Sequence, residues 1–273
     1  MKIKKISIID WFCKRNYNLN INLEEGLNVI YGPNVCGKTM LVQDVLSLVK
    51  PVSYKSDSIE ELDWSGSITD NYLEVDLFGG GKVVWSSGFS QYYPKSYKFT
   101  GYNPNEISPT SIVQWLVDDA LEIWSLDDIY ENLIDASLLA VDKEDYERLM
   151  EGLNYVLDFP IIKSFSSILV NGEERFRAVF SDDSKKWMDK MSFGWKCLMS
   201  IILLTPLEKN SLYYLDCPEA GLSPSWCSRL GEALRRINPN MQVIIISHSK
   251  DIVNSIPNKI FLPDNIKSQK NYI

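Results

Sequence analysis

Residues 32–39 read Gly-Pro-Asn-Val-Cys-Gly-Lys-Thr, a GxxxxGK[ST] run with every fixed position filled. Gly32 and Gly37 let the backbone curl so that its N–H groups turn inward, and the intervening Pro33, Asn34, Val35 and Cys36 complete a loop sized for phosphate oxygens. Lys38 is long enough to reach the β- and γ-phosphates of a nucleotide, and the Thr39 hydroxyl can ligate Mg²⁺. Three further runs bring compatible groups. Leu212-Tyr213-Tyr214-Leu215-Asp216 is an apolar strand ending in a carboxylate, which beside a phosphate loop would hold the same cation. Met191-Ser192-Phe193-Gly194 opens a helical pattern, where the Ser192 hydroxyl and the N–H groups around Gly194 can bind an anion. Ile244-Ile245-Ile246-Ser247-His248 delivers a histidine at the end of a buried strand, where ligands gather in open α/β sheets. His248 is the single histidine of the chain. A multi-histidine metal centre is therefore impossible within it, and a Ser-His-Asp or Cys-His site would have to use that residue.

These groups need elements to place them. The apolar run Leu27–Tyr31 before the glycine loop predicts a buried strand. Leu41, Val42, Val45, Leu46 and Val49 after it predict a helix stopped by Pro51. Ahead of it, Ile6–Ile9 and Leu19–Leu23 read as two strands around the polar turn Lys14–Asn18. Residues 52–105 read as β-rich: Leu73, Val75 and Leu77 alternate with acids, and Gly79-Gly80-Gly81 turns the chain into Lys82–Trp85. Residues 109–158 read as helical and acidic. Asn171-Gly172 between Phe165–Val170 and Glu173–Phe180 predicts a type I′ hairpin, because both central positions need positive φ. Beyond Met191 the pattern becomes helix (Ser192–Leu204), strand (Ser211–Leu215), helix from Ser223-Pro224, and strand (Gln242–Ile246). Apolar strands alternating with helices predict a mainly parallel sheet covered on both faces.

Composition narrows the function classes. Of the 273 residues, 45% are hydrophobic and 23% charged, which excludes a disordered chain. The net charge of −8 argues against coating nucleic acid with the whole surface and leaves room only for a local basic groove. Lys2, Lys4, Lys5, Lys14 and Arg15 form the densest basic cluster, equally explained as a solvated edge strand. The five cysteines are scattered, with no CxxC pair, so zinc and a disulfide framework are not expected and a reducing compartment is. The first residues lack a secretory apolar region and no apolar stretch is long enough to span a bilayer. The expected location is the cytoplasm, with no membrane partner.

Taken in order, the four motifs resemble the ABC-type ATPase heads of the SMC/RecF/OLD-like group, the non-transporter branch. The opening through Thr39 is similar to that group's start. Met191-Ser192-Phe193-Gly194 resembles a divergent LSxG signature, and Leu215-Asp216-Cys217-Pro218-Glu219-Ala220-Gly221-Leu222-Ser223-Pro224 resembles the DEPEAGLHP segment. Ser247-His248-Ser249 resembles the THS switch. The resemblance covers residues 1–50 and 160–262. It implies an α/β P-loop NTPase fold, an ABC-ATPase head with a β-lobe and a compact helical lobe. The expected division is one domain over residues 1–273, with 1–50 and 192–262 as nucleotide-binding core. Residues 52–105 would form the β-rich lobe, and 106–190 the helical lobe plus hairpin.

The resemblance also implies ATP and Mg²⁺ as cofactors, and two heads sandwiching two ATP molecules in a homodimer or higher oligomer. Lys38, Thr39 and Asp216 would act in cis, while Ser192 and Gly194 would cap the γ-phosphate held by the opposite protomer. His248 would sense that phosphate. A glutamine, Gln91 or Gln114, would complete the Mg²⁺ shell. The group places a catalytic Glu directly after the Asp, where this chain has Cys217; Glu219 is the next carboxylate. A thiol is a poor substitute because it is mostly neutral at pH 7. The implied function is a slowly hydrolysing ATP switch coupled to DNA or a separate nuclease or effector chain, in DNA repair or defence against mobile elements. An ATP-locked scaffold sequestering an effector and an ATPase subunit of a transporter are the alternatives. The short chain beyond His248 is expected to hold no fused nuclease, so an effector would be another chain.

Overall fold

The computed structural model describes residues 2–9, 18–34, 36–49, 72–86, 96–100, 112–115, 143–157, 161–171, 173–187 and 190–263. The chain opens with β1 (Ile3–Ile9) and β2 (Asn18–Asn22), then runs through β3 (Leu27–Tyr31) and the glycine loop into α1 (Lys38–Val49). Four strands follow: β4 (Tyr72–Leu77), β5 (Lys82–Ser86), β6 (Ser96–Thr100) and β7 (Ile112–Trp115). Then come α2 (Lys143–Leu157), β8 (Ile162–Val170), β9 (Glu173–Phe180) and β10 (Lys185–Trp187). The last part alternates: α3 (Phe193–Leu203), β11 (Leu212–Asp216), α4 (Pro224–Ile237), β12 (Gln242–Ile246), α5 (Lys250–Ser255) and β13 (Asn258–Phe261).

The central sheet has the order β13-β3-β12-β11-β7, and every neighbouring pair is parallel. Its inner strands bury side chains on both faces, as their unbroken apolar sequences require: all five residues of β12 are buried. One face packs on α2, α3, α4, α5 and the inner side of the β8–β9 hairpin, through Leu153, Val156, Phe180, Ile201, Tyr213, Leu215, Leu230 and Ile245. The other face packs on α1 and a second, antiparallel sheet, through Ile6, Ile8, Ile21, Leu41, Val45, Val75, Tyr214 and Ile244.

That antiparallel sheet has the order β2-β1-β4-β5-β6. Within the stretch read as β-rich, β4 pairs directly with β1, Ile6 opposite Val75 and Ile8 opposite Leu73. The alternating residues of β1, β2, β4 and β5 feed one apolar face. Two buried amides stitch this part to the central sheet. Gln242 donates to the Ile3 and Glu24 carbonyls at 2.7 and 2.8 Å and accepts from the Ile3 N–H at 2.7 Å. Asn28 donates to the carbonyls of Glu24, Gly26 and Val243.

One correction concerns the stretch read as helical over 109–158. Residues 143–157 are helical as expected, but Ile112–Trp115 is a strand, parallel to β11. Its apolar run is too short for periodicity to separate strand from helix, and pairing with β11 decides it. The hairpin forms with Asn171 at φ 56°, as a type I′ turn demands, and gains β10 as a third strand. Gln91, Val35 and the Lys14–Arg15 turn lie outside the described residues. No helix among the described residues is long and apolar enough to cross a membrane.

Candidate functional site

Hydrogen bonds between successive strand ends build one edge. The Ser247 N–H donates to the Ile30 carbonyl at 3.2 Å, the Cys217 N–H to Ile246 at 2.9 Å, and the Leu262 N–H to Tyr31 at 2.8 Å. The carboxyl ends of β3, β12, β11 and β13 are thereby level. The segments beginning at Gly32, Asp216 and Ser247 all leave the sheet there, which is where open parallel sheets bind ligands.

The glycine loop is shaped by close approach. A Cβ at Gly32 would stand 2.2 Å from the Leu262 carbonyl oxygen, so only glycine fits, and Gly37 has φ 88°. Pro33 and Asn34 are exposed and Cys36 is buried. Lys38 is folded inward at 5% exposure, its Nζ donating to the carbonyls of Pro33 at 2.7 Å and Gly32 at 3.2 Å and to Cys36 Sγ at 3.5 Å. An ammonium held by the loop's own carbonyls sits at the mouth of a ring built for anions. Thr39 follows on the first turn of α1, half-buried.

Asp216 ends β11, and its Oδ1 is buried with no hydrogen-bond partner. A buried carboxylate oxygen in that state is costly unless something completes it. Beside it Cys217 adopts φ 49°, a left-handed conformation that costs a non-glycine residue about 1–2 kcal/mol. Two tight turns follow, Ala220 N–H to the Cys217 carbonyl and Leu222 N–H to Glu219. Burial, helped by the charges of Asp216 and Glu219, pushes the Cys217 thiol up to about 12, and nearby Lys38 only partly opposes this. Cys217 is a neutral thiol at any physiological pH.

Glu219 is otherwise engaged. Its Oε1 accepts from the His248 N–H at 2.6 Å and its Oε2 from the Ser247 hydroxyl at 3.0 Å. Ser247 Oγ in turn accepts from the Ser249 N–H at 3.0 Å. Both oxygens thus clamp the turn after β12 and hold His248 at the edge, its side chain exposed. Glu219, a candidate catalytic carboxylate in the sequence, is placed in this clamp. The clamp was not anticipated; the carboxylate three residues past Asp216 and the serine before His248 were its only signals.

Ser192 and Gly194 stand elsewhere. Ser192 is the exposed N-cap of α3, with no side-chain capping bond. A Cβ at Gly194 would lie 2.2 Å from the Gly221 carbonyl oxygen, which presses the helix start against the turn beyond Glu219. Trp195 fixes the helix, edge-on to Phe180 at 5.8 Å and to Trp226 at 6.0 Å. Gln114 lies in β7 opposite Tyr214, one strand over from Asp216. Among the described residues the four cysteines, Cys36, Cys197, Cys217 and Cys227, are free, and no group of three or more metal-ligating His, Cys, Asp or Glu side chains exists.

A glycine loop between a buried strand and a helix, with an acid ending a parallel strand two places along the same sheet, is the arrangement of a P-loop NTPase fold. Solved structures of similar fold include SMC head domains. The chain matches an SMC head bound to the C-winged helix domain of ScpA with a TM-score of 0.66 and 16% identity, over 96% of this chain and 94% of that one. It matches the SMC head domain from Thermotoga maritima with a TM-score of 0.62 and 16% identity, over 95% and 94%. In sequence it is 24% identical over a 281-residue alignment to the Septu protein PtuA of Bacillus thuringiensis, covering 86% of this chain and 69% of that protein. No protein-family model matches. The fold is that of an SMC-type ABC ATPase head.

Proposed function

We propose that this chain is an ATP-binding head that closes as a dimer over two nucleotides and passes nucleotide state to DNA or to a separate effector such as a nuclease. The observation that carries this reading is the convergence of an anion loop, a buried lysine and an unpartnered carboxylate oxygen on one sheet edge. The donors suit the group: Thr39 and Asp216 offer hard oxygens, which favour Mg²⁺, and Asp216 Oδ1 lacks a partner within the protein. Mg²⁺ there would neutralise phosphate charge. Lys38 would leave the loop carbonyls for the β- and γ-phosphates, and the N–H groups of the loop would bind their oxygens. Gln114, on the strand beside β11, is a candidate to complete the shell, as is Gln91. Ser192, exposed at the start of α3, and the backbone at Gly194 would meet the γ-phosphate of a second protomer, and His248 would contact it from the clamped turn.

Slow hydrolysis follows from Cys217, whose protonated thiol cannot take a proton from water. That same observation favours a second reading, an ATP-locked scaffold that sequesters an effector. Of the two biological settings, likeness to a Septu protein supports defence against mobile elements over DNA repair. The decisive experiment is solution mass with and without ATP and Mg²⁺ for the wild type and Lys38→Ala. The expected result is an ATP-dependent doubling in the wild type alone; unchanged mass in both would end the clamp reading. DNA-stimulated turnover would reject the pure scaffold.

A further inference from the structure

β11 contains two adjacent tyrosines, both 0% exposed, on opposite faces of the strand. Tyr213 donates its hydroxyl to the Ile201 carbonyl at 2.7 Å. Tyr214 Oη is buried with no hydrogen-bond partner. Tyr214 shares its face with Asp216, two residues on, whose Oδ1 is the other partnerless atom at this edge. The hydroxyl lies close enough to feel the Asp216 carboxylate and the Thr39 hydroxyl, without closing a bond of normal geometry to either. Two orphaned polar atoms beside one another in an apolar core are a cost that a folded chain rarely carries unrewarded. Phenylalanine would fill the same space without that cost. On the neighbouring strand β12 the residues opposite Tyr214 and Asp216, Ile244 and Ile246, are aliphatic and offer nothing to the hydroxyl.

We propose that Tyr214 is a positioning residue for the divalent cation shared by Thr39 and Asp216. Its hydroxyl donates either to Asp216 Oδ1 or to a water of the cation's shell, so that both orphaned atoms are satisfied when the cation enters. This rests on the nucleotide reading above and adds to it a residue that the glycine loop and the terminal Asp do not imply. A tyrosine at a position where an aliphatic residue would serve packing equally well is the sequence trace of that role.

The test compares wild type, Tyr214→Phe and Tyr213→Phe. Each is titrated with Mg²⁺ at a fixed concentration of a fluorescent ATP analogue, and each is melted without nucleotide. In Tyr214→Phe the half-saturating Mg²⁺ is expected to rise about threefold to tenfold, the worth of one buried hydrogen bond. Binding of the analogue in EDTA should be unchanged, and the melting temperature without nucleotide unchanged or higher. Tyr213→Phe should show the reverse, a lower melting temperature and the wild-type Mg²⁺ dependence. Equal Mg²⁺ dependence in wild type and Tyr214→Phe overturns the inference alone. So does a Tyr214→Phe protein that melts several degrees lower, since its hydroxyl must then have a structural partner. Absence of Mg²⁺-dependent binding in the wild type overturns the nucleotide reading itself, and the inference falls with it.

Discussion

On the face of the central sheet covered by α2, α3, α4 and α5, the polar side chains of Tyr213, Thr205 and Asn238 are closed on protein partners, although Arg148 Nε on α2 and Ser181 Oγ beyond β9 are not. Tyr213 and Thr205 both donate to the Ile201 carbonyl, and Asn238 donates to the carbonyls of Pro206 and Glu208 at 2.8 and 2.9 Å. The α1 face holds Lys38 folded onto loop carbonyls, a buried tyrosine hydroxyl and a buried carboxylate oxygen with no partner, and a half-buried thiol held protonated. Neighbouring residues of a single strand, alternating sides, belong to these two regimes. The difference separates what holds the fold from what is left open for a ligand, and it makes the two faces respond oppositely to substitution.

The largest effect should come from Lys38→Ala. Nucleotide affinity should fall about tenfold to hundredfold, the worth of charge-assisted hydrogen bonds to phosphate, as read by titration of a fluorescent ATP analogue. The denaturation midpoint should stay near that of the wild type, because the freed carbonyls border the exposed Pro33 and Asn34. A variant that unfolds but binds normally would invert the comparison. On the opposite face Asn238→Ala should cost about 2 kcal/mol in urea denaturation, since it leaves two carbonyls and the Asn240 N–H without their partner, and should leave affinity untouched. Tyr213→Phe should cost less, about 1 kcal/mol, because Ile201 keeps its bond from Thr205.

Glu219→Gln sharpens the comparison at the sheet edge. A glutamine oxygen still accepts from the His248 N–H, and its amide can donate to Ser247, so stability and nucleotide binding should change by less than about 0.5 kcal/mol. Collapse of turnover with binding intact would instead restore Glu219 as the base. Glu219→Ala, which removes the clamp, should release the turn and broaden or shift the single imidazole resonance of His248.

Much of this division is legible in the residues themselves. The glycine loop, its flanking strand and helix, and the strand Gln242–Ile246 follow from local rules: fixed glycine positions, apolar runs of strand length, and Ser223 with Pro224 at a helix start. What escaped reading depended on partners far along the chain. β7 is a strand because β11 lies beside it, β4–β6 extend the sheet begun by β1, and Glu219 is a clamp because His248, 29 positions later, leaves β12 at the same edge. Tyr214 was visible only as one more apolar residue of a buried strand. Its hydroxyl acquires meaning from having no partner, which no periodicity reports.

The smallest effect belongs to Cys217, and it tests whether the α1 face supplies its own base. To act as a base Cys217 must be a thiolate, but burial and the Asp216 and Glu219 carboxylates all disfavour the charged form, raising the thiol from 9.0 to about 12 against the weaker pull of Lys38. At pH 9 only about one molecule in a thousand would carry the thiolate. The sign is definite: a thiol acting as base would make turnover climb nearly tenfold for each pH unit across pH 7–9, because the thiolate fraction does so. The expected profile is free of that climb, and Cys217→Ala should keep whatever turnover the wild type has to within about twofold at each pH. A steep alkaline climb that vanishes in Cys217→Ala would mean that the small thiolate fraction does the chemistry, and a climb that levels off below pH 9 would mean that nucleotide binding lowers the thiol by several pH units. The α1 face would then be a complete catalytic site and not one held open for a ligand.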